Sequence, residues 1–347
     1  MCPDKSGRRR GAPLDRYDVV IIGAGPAGLQ CAHALGSSGL SVLLLEKHSV
    51  IGPKVCAGTL TSLSDSFSLP ADRMRTFGQQ HVVLNDRERI ITLVKPLRII
   101  GRYDLGQFQL QRLLAQGTVQ VRTNLSAVSL SRTDLVLSDN STVSFRFLVG
   151  ADGSASLVRR FLGLAAGYSS GMQYMIPGRF DSMVWYFLPR LLGSGYAWII
   201  PHATAVSAGV FFNPRRVAVK NAQEALQRCL DRYGVERGNA QIESAPINCR
   251  YYGIQFGNLF LAGDAAGLPS AATGEGIAYA LASGEEVARR ILGSRTPSDR
   301  FESLLRHKAT QERILAFIDS MPPLQTPLFH MYFTLTRYLW MQRKLTG

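Results

Sequence analysis

Apolar residues near the start of the chain come in short unbroken runs. Tyr17-Asp18-Val19-Val20-Ile21-Ile22 and Ser41-Val42-Leu43-Leu44-Leu45-Glu46 each read as a strand buried on both faces of a parallel sheet. Between them the pattern is helical from about Pro26 to Leu35, and Gly39 ends the unit. The result is a βαβ unit of about 30 residues.

Further along, Val82-Val83-Leu84 and Ile90–Val94 predict a hairpin across a polar Asn85–Arg89 turn. A helix is predicted over Leu105–Gln116, then short strands near 119–123, 126–131, 134–138 and 142–149. More strands follow at Met183–Phe187, Ala197–Ile200 and Val206–Phe212, then a helix over Asn221–Tyr233. Asn258–Ala262 reads as another buried strand, followed by a helix over Gly276–Leu292. From Ser298 the chain reads as helical, with a break at Pro322-Pro323. In the charged helix Phe301–Ile318 the expected inward residues are Leu304, Leu305, Ile314 and Leu315.

The expected fold class is α/β. A Rossmann-type nucleotide-binding domain takes residues 16–60, 96–165 and 246–295. An inserted antiparallel β-sheet, the expected substrate domain, takes 61–95 and 166–245. Residues 1–15 read as a disordered leader and 296–347 as a short helical C-terminal region.

Composition narrows the function. With 46% apolar and 18% charged residues the 347-residue chain can build a sizeable core, unlike a disordered segment. Its 39 Lys+Arg against 25 Asp+Glu give a net charge of +14, which favours anionic partners. No nucleic-acid-binding motif accompanies that charge. The five cysteines are odd in number and form no CxxC, so neither a disulfide framework nor a zinc site is indicated. An intracellular, cytoplasmic setting is expected. No secretory signal or spanning apolar run is visible.

The chemistry begins at Gly23-Ala24-Gly25-Pro26-Ala27-Gly28, a GxGxxG fingerprint between strand and helix. Gly23 makes the tight turn, Gly25 admits a pyrophosphate to the backbone, and Gly28 lets the helix pack on the sheet. The helix N-terminus offers free N–H groups and a positive dipole end to phosphates. Glu46 ends the second strand, placed to accept hydrogen bonds from ribose hydroxyls. Two further motifs follow strands: Gly150-Ala151-Asp152-Gly153 and Gly263-Asp264-Ala265-Ala266-Gly267. An Asp beside a glycine at a strand end can bind a polyol, although a single such pair is usually an ordinary turn. The helix entered near Gly274-Glu275-Gly276 presents a second positive N-terminus.

Taken in this order, the three motifs resemble the FAD-dependent oxidoreductases of the aromatic-hydroxylase-like, glutathione-reductase-like superfamily, over residues 17–292. The resemblance implies FAD contacts at Gly23, Gly25, Pro26, Ala27, Gly28, Glu46 and Lys47. It implies more at Asp152, Gly153, Gly263 and Asp264, and at Gly274, Glu275, Gly276 and Ile277. Arg102 stands where the family's FAD-contacting Arg precedes a helix; a plain surface Arg is the alternative.

Three details resemble the geranylgeranyl reductase family in particular. They are Gly52-Pro53-Lys54-Val55-Cys56-Ala57-Gly58, the pairing of Gly263–Gly267 with Thr273–Ile277, and Tyr196-Ala197-Trp198-Ile199-Ile200-Pro201. The resemblance implies saturation of isolated C=C bonds in an isoprenoid chain. Cys56 is then the candidate catalytic residue, or else a small buried apolar one. Tyr196, Trp198 and Pro201 are candidates for the substrate channel, or else sheet packing. The implied electron donor is NAD(P)H or reduced ferredoxin, docking transiently, because a second dinucleotide fingerprint is absent from the sequence.

Ile200 departs toward the flavin halogenases, whose motif has Ile there, so a flavin-dependent monooxygenase or halogenase acting on an aromatic or other small organic substrate stays open. So does a flavin protein without turnover. The aromatic stretch Leu328–Trp340, with Arg337, Arg343 and Lys344, suggests either peripheral contact with an anionic membrane or a helix packed on the substrate domain. No metal spacing occurs among the six histidines, and the oligomeric state is not legible.

Overall fold

The computed structural model describes residues 15–335. Strand β1 (Asp15–Ile22), helix α1 (Pro26–Leu35) and strand β2 (Val42–Leu45) form the expected parallel unit. Strands β3 (Thr59–Leu60), β4 (Arg75–Leu84) and β5 (Arg87–Ile99) leave for a second sheet. Helix α2 (Arg102–Gln116) brings the chain back to β6 (Val119–Arg122), then β7 (Ala127–Leu130), β8 (Asp134–Leu137) and β9 (Thr142–Gly150). Helix α3 (Leu157–Phe161) precedes the second excursion. This comprises β10 (Tyr168–Pro177), β11 (Val184–Phe187), α4 (Pro189–Leu192), β12 (Tyr196–Pro201), β13 (Ala205–Phe212), α5 (Val219–Arg232) and β14 (Ile242–Asn248). Strands β15 (Gln255–Phe256) and β16 (Leu259–Leu261) and helix α6 (Ile277–Ile291) complete the nucleotide half. Helices α7 (Asp299–Ser320) and α8 (Gln325–Leu335) follow.

The first sheet runs β15-β16-β9-β1-β2-β6, parallel from β16 to β6, with the β7–β8 hairpin attached to β9. Burial of both faces explains its unbroken apolar runs; Val19, Val20 and Ile21 are fully covered. The second sheet runs β14-β10-β13-β12-β11-β4-β5-β3 and is antiparallel except at β11–β4. Its strands alternate. Ala197 and Ile199 of β12, with Ala208 and Val210 of β13, pack toward Leu226 and Leu230 of α5. Tyr196, Trp198, Ile200 and Phe211 form a cluster on the other face. The two-residue strand period thus gives one face to the core and one to the site.

Several expectations change. The hairpin is longer than predicted, and its strands reach Leu84 and Arg87, leaving only Asn85 and Asp86 in the turn. Asn85 takes a left-handed φ of 54°, which Asn tolerates better than most residues. Strands β10 and β14 went unpredicted. β10 carries Ser169, Ser170, Gly171 and Gln173 at covered or half-covered positions, which masks its apolar signal. The expected boundary at 60 puts β3 with the nucleotide half although it pairs in the second sheet, and the boundary at 95 falls inside β5. Asp15, assigned to the leader, opens β1, while the rest of that leader lies outside the described residues. On α7, Leu304 is buried as expected, but Ile314 is 39% exposed. Ile314 borders a cavity along with Gln311 and Leu315, while Ile318 at the helix end is buried against Val82, Ile91 and Phe329.

Candidate functional site

The fingerprint loop has the geometry its glycines suggest. Gly23 leaves β1 at φ +99°, and a Cβ there would lie 2.5 Å from the Ala151 carbonyl oxygen. A Cβ on Gly28 would lie 1.9 Å from the Gly23 oxygen, so α1 can approach the sheet only with glycine here. Gly25 is different: nothing stands within 4 Å of its missing Cβ, and it lines a cavity. Pro26 opens α1 and no side chain caps the helix, so its first N–H groups stay available. Glu46 braces the loop, since one carboxylate oxygen accepts from the Ala24 N–H at 2.9 Å and the other from the His48 N–H at 3.0 Å.

The two Asp-Gly motifs meet beyond this loop. Asp152 Oδ2 accepts from the Leu157 N–H at 2.6 Å, while its Oδ1 is buried without a partner. Burial pushes the Asp152 carboxyl up. Asp264 accepts from Lys54 Nζ at 2.7 Å and from the Ser154 hydroxyl at 3.2 Å. Burial alone would raise Asp264 as well, yet Lys54, Arg102 and Ser154 hold it below the ordinary carboxylate range. The Asn248 amide fixes this turn by donating to the Asp264 backbone oxygen at 3.0 Å. Arg102 Nε is buried and unpartnered at the start of α2.

Ahead of α6 the chain turns at Gly274 (φ +67°) and Glu275 faces the same cavity. The Thr61 hydroxyl donates to Glu275 Oε1. Burial pushes the Glu275 carboxyl up to about 7, with Thr61 opposing. Tyr196 donates its hydroxyl to the Thr273 carbonyl at 2.5 Å, and burial drives its ionisation well upward. Cys56 is half-buried on the cavity wall, and its Sγ accepts from the Gly58 N–H at 3.4 Å.

Gly23, Gly25, Glu46, Cys56, Lys54, Thr61, Arg102, Asp152, Ser154, Tyr196, Asp264 and Glu275 line one cavity of about 870 Å³. It runs on from the fingerprint to an aromatic end. Tyr196 lies 5.4, 5.7 and 5.6 Å from the rings of Trp185, Phe187 and Phe211. Phe187 lies 4.8 Å from Phe333 of α8. Val82, Ile91, Leu93 and Leu97 of the hairpin, with Leu315 and Ile318 of α7, complete the apolar wall.

FAD fits this arrangement. An open glycine edge and an uncapped helix suit the diphosphate. Two orphaned buried polar atoms, Arg102 Nε and Asp152 Oδ1, need a ligand to satisfy them. The ionised Asp264 suits a polyol. Helix α6 is likewise uncapped, leaving N–H groups for an anionic ring edge.

Most residues expected at the site do line the cavity: Gly23, Gly25, Pro26, Ala27, Glu46, Lys47, Cys56, Arg102, Asp152, Gly153, Tyr196, Trp198, Gly263, Asp264 and Gly274–Ile277. Gly28 and Pro201 do not. Gly28 is spent on helix packing, and Pro201 pairs with Val206 on the α5 face of its sheet, because the strand period sends it away from Trp198. Sequence reasoning missed the Lys54–Asp264 pair, Thr61, Ser154 and the aromatic wall. The spacing of Trp185 and Phe187, two apart on one strand, was a signal for that wall.

Comparison with known proteins agrees with this geometry. A model described as "FAD binding domain" matches residues 106–292, more than half of the chain, and a model described as "NAD(P)-binding Rossmann-like domain" matches residues 21–85. A digeranylgeranylglycerophospholipid reductase 2 from Methanothermobacter thermautotrophicus is 28% identical over 83% of this chain and 82% of its own length. A geranylgeranyl diphosphate reductase from Rhodobacter capsulatus is 26% identical over 82% of this chain and 78% of its own. The crystal structure of a geranylgeranyl bacteriochlorophyll reductase-like protein from Thermoplasma acidophilum superposes with a TM-score of 0.79 at 20% identity, covering 96% of each chain. With its dinucleotide loop, paired Asp-Gly turns and a family match over most of the nucleotide half, the chain belongs to the FAD-binding-domain family, as an FAD-dependent oxidoreductase of the geranylgeranyl reductase type.

Proposed function

We propose that this protein saturates isolated C=C bonds of an isoprenoid chain. The observation that carries the reading is the single cavity that joins the nucleotide motifs to an apolar aromatic end. Cavities for small ligands are mostly apolar with a few placed polar groups, and this one is of that kind.

The residues divide the work. The Gly23–Gly28 loop and the α1 N-terminus hold the diphosphate, Glu46 the ribose, and Asp264 the ribityl hydroxyls. Bound FAD, once reduced, supplies hydride at its N5 position. An isolated alkene has no carbonyl to polarise, so orientation dominates the rate. Tyr196, Trp198 and Phe187 clamp the chain and exclude water, and Cys56 positions the reacting bond. Reducing equivalents come from NAD(P)H or an acidic ferredoxin-like donor, drawn by the +14 charge. The substrate arrives from a lipid surface. Phe317, Leu324 and Met331 are 52%, 49% and 56% exposed on and between α7 and α8, beside Ile314 at the cavity edge. Among the described residues no helix is long and apolar enough to cross a membrane. Peripheral contact through these side chains is the mode that fits.

The test is a single turnover. FAD-loaded protein is reduced without oxygen and mixed with a geranylgeranyl-bearing lipid. The expected product gains two hydrogens per saturated bond. Oxygenation or halogenation of an aromatic compound, with the prenyl chain untouched, overturns the reading.

A further inference from the structure

Saturating an alkene takes a proton as well as a hydride, and burial raises two carboxyls on the cavity wall: Asp152, whose Oδ2 is committed to the Leu157 N–H, and Glu275, which lies within electrostatic reach of Tyr196 at the aromatic end. We infer that Glu275 is the acid that delivers this proton; the inference rests on the prenyl-reductase reading above. Glu275 sits on the cavity wall where the turn ahead of α6 meets the segment carrying Cys56 and Thr61. Among the described residues no Lys or Arg pairs with it. Asp264 faces the same cavity and has the opposite environment, with Lys54 at 2.7 Å. Two carboxyls in one site whose surroundings push them apart mark an acid and an ionised partner.

The other candidates are less suitable. The Tyr196 hydroxyl is committed to the Thr273 carbonyl, and burial makes its proton harder to release. Thr61 is a hydroxyl with no useful acidity. The titratable groups facing Glu275 are Tyr196 on β12 and Tyr279 on α6, the helix that follows it, with Cys56 also within electrostatic reach of Tyr196. None is a cation that would hold Glu275 ionised, and burial keeps its proton on to about pH 7.

The step balances. The C=C π bond breaks. One carbon gains hydride, two electrons and a hydrogen, from reduced flavin. The other gains the proton as the Glu275 O–H bond breaks. Glu275 is left as carboxylate and recovers its proton from solvent; the oxidised flavin would be restored by hydride from the nicotinamide, or by two electrons from the iron–sulfur donor together with one proton from solvent.

The experiment compares FAD-loaded wild type, Glu275→Gln and Glu275→Asp, reduced with dithionite and mixed anaerobically with a geranylgeranyl lipid. Scored on its flavin-loaded fraction, Glu275→Gln is expected to saturate the probe about 100-fold more slowly, with part of the rate restored in Glu275→Asp. A pH titration of the bound oxidised flavin's absorbance is expected to show a step near 7 in wild type that Glu275→Gln lacks. If wild type turns over and Glu275→Gln stays within about threefold of it, the proton-donor role falls while the reductase reading stands. If wild type saturates no prenyl probe, both fall. Should Glu275→Gln lose its flavin, the wild-type titration decides alone: no step near 7 overturns the role.

Discussion

Lys54 and Asp264, 210 positions apart, meet at 2.7 Å on the cavity wall. This contact ties the segment after β2 to the turn after β16, the two stretches that resemble the reductase family most closely. Replacing Asp264 by Asn should weaken FAD binding by about tenfold or more, because a charge-assisted acceptor for hydroxyls is lost. Lys54→Met should cost less, since Arg102 and Ser154 still face Asp264. Flavin fluorescence titration measures both.

The same pair gives an acid signature. Asp264 is held below its unfolded carboxylate value, so its stabilising contribution is complete above that value and is lost as pH falls through the folded one. Thermal melts of the flavin-free protein should fall in strong acid, and Asp264→Asn should reduce that fall.

Glu275 gives the opposite sign. Its folded value of about 7 lies above the ordinary carboxylate value of about 4.5, so stability is complete below about 4.5 and declines as pH rises through about 7. Glu275→Gln should remove that decline, worth on the order of 1–3 kcal/mol, in melts of the flavin-free protein between about pH 4 and about pH 8.

Gly209 makes room for Trp198, its cross-strand partner. A Cβ there would lie 2.3 Å from Trp198 Cζ2 and 2.5 Å from the Met172 oxygen. Gly209→Ala should cost about 1–3 kcal/mol and push the indole toward the cavity. The expected outcome is a raised KM for prenyl substrate with FAD affinity unchanged.

Ile91 lies on the apolar wall supplied by β5. Ile91→Trp should shorten the prenyl chain that is accepted while leaving flavin binding intact. Competition between lipids of different prenyl length, read by mass spectrometry, checks it.

Exposed Phe317 and Met331 should carry contact with lipid. Phe317→Ser with Met331→Ser is expected to reduce co-sedimentation with anionic vesicles several-fold, and unchanged binding would count against the surface.

The nucleotide end was legible along the chain. Gly23, Gly25 and Gly28 act through local backbone geometry: a left-handed turn, an open edge and a close helix–strand approach all lie within six residues. Glu46 followed from the fixed length of a βαβ unit. The alternation in Tyr196 and Trp198 was legible for the same reason, because strand period is local, although Pro201 was carried along with a motif whose last residue turns the other way. The remainder arises from folding in three dimensions. The apolar end of the cavity is assembled from β4, β5, β11, α7 and α8, whose residues are scattered along the chain and individually look like ordinary core. The ionisation of Asp264 and of Glu275 likewise depends on tertiary surroundings: Lys54 stands opposite the first and holds it down, while burial with no cation beside it raises the second. No pattern along the chain encodes those neighbours, since electrostatics and packing depend on distance in space and not on position in sequence.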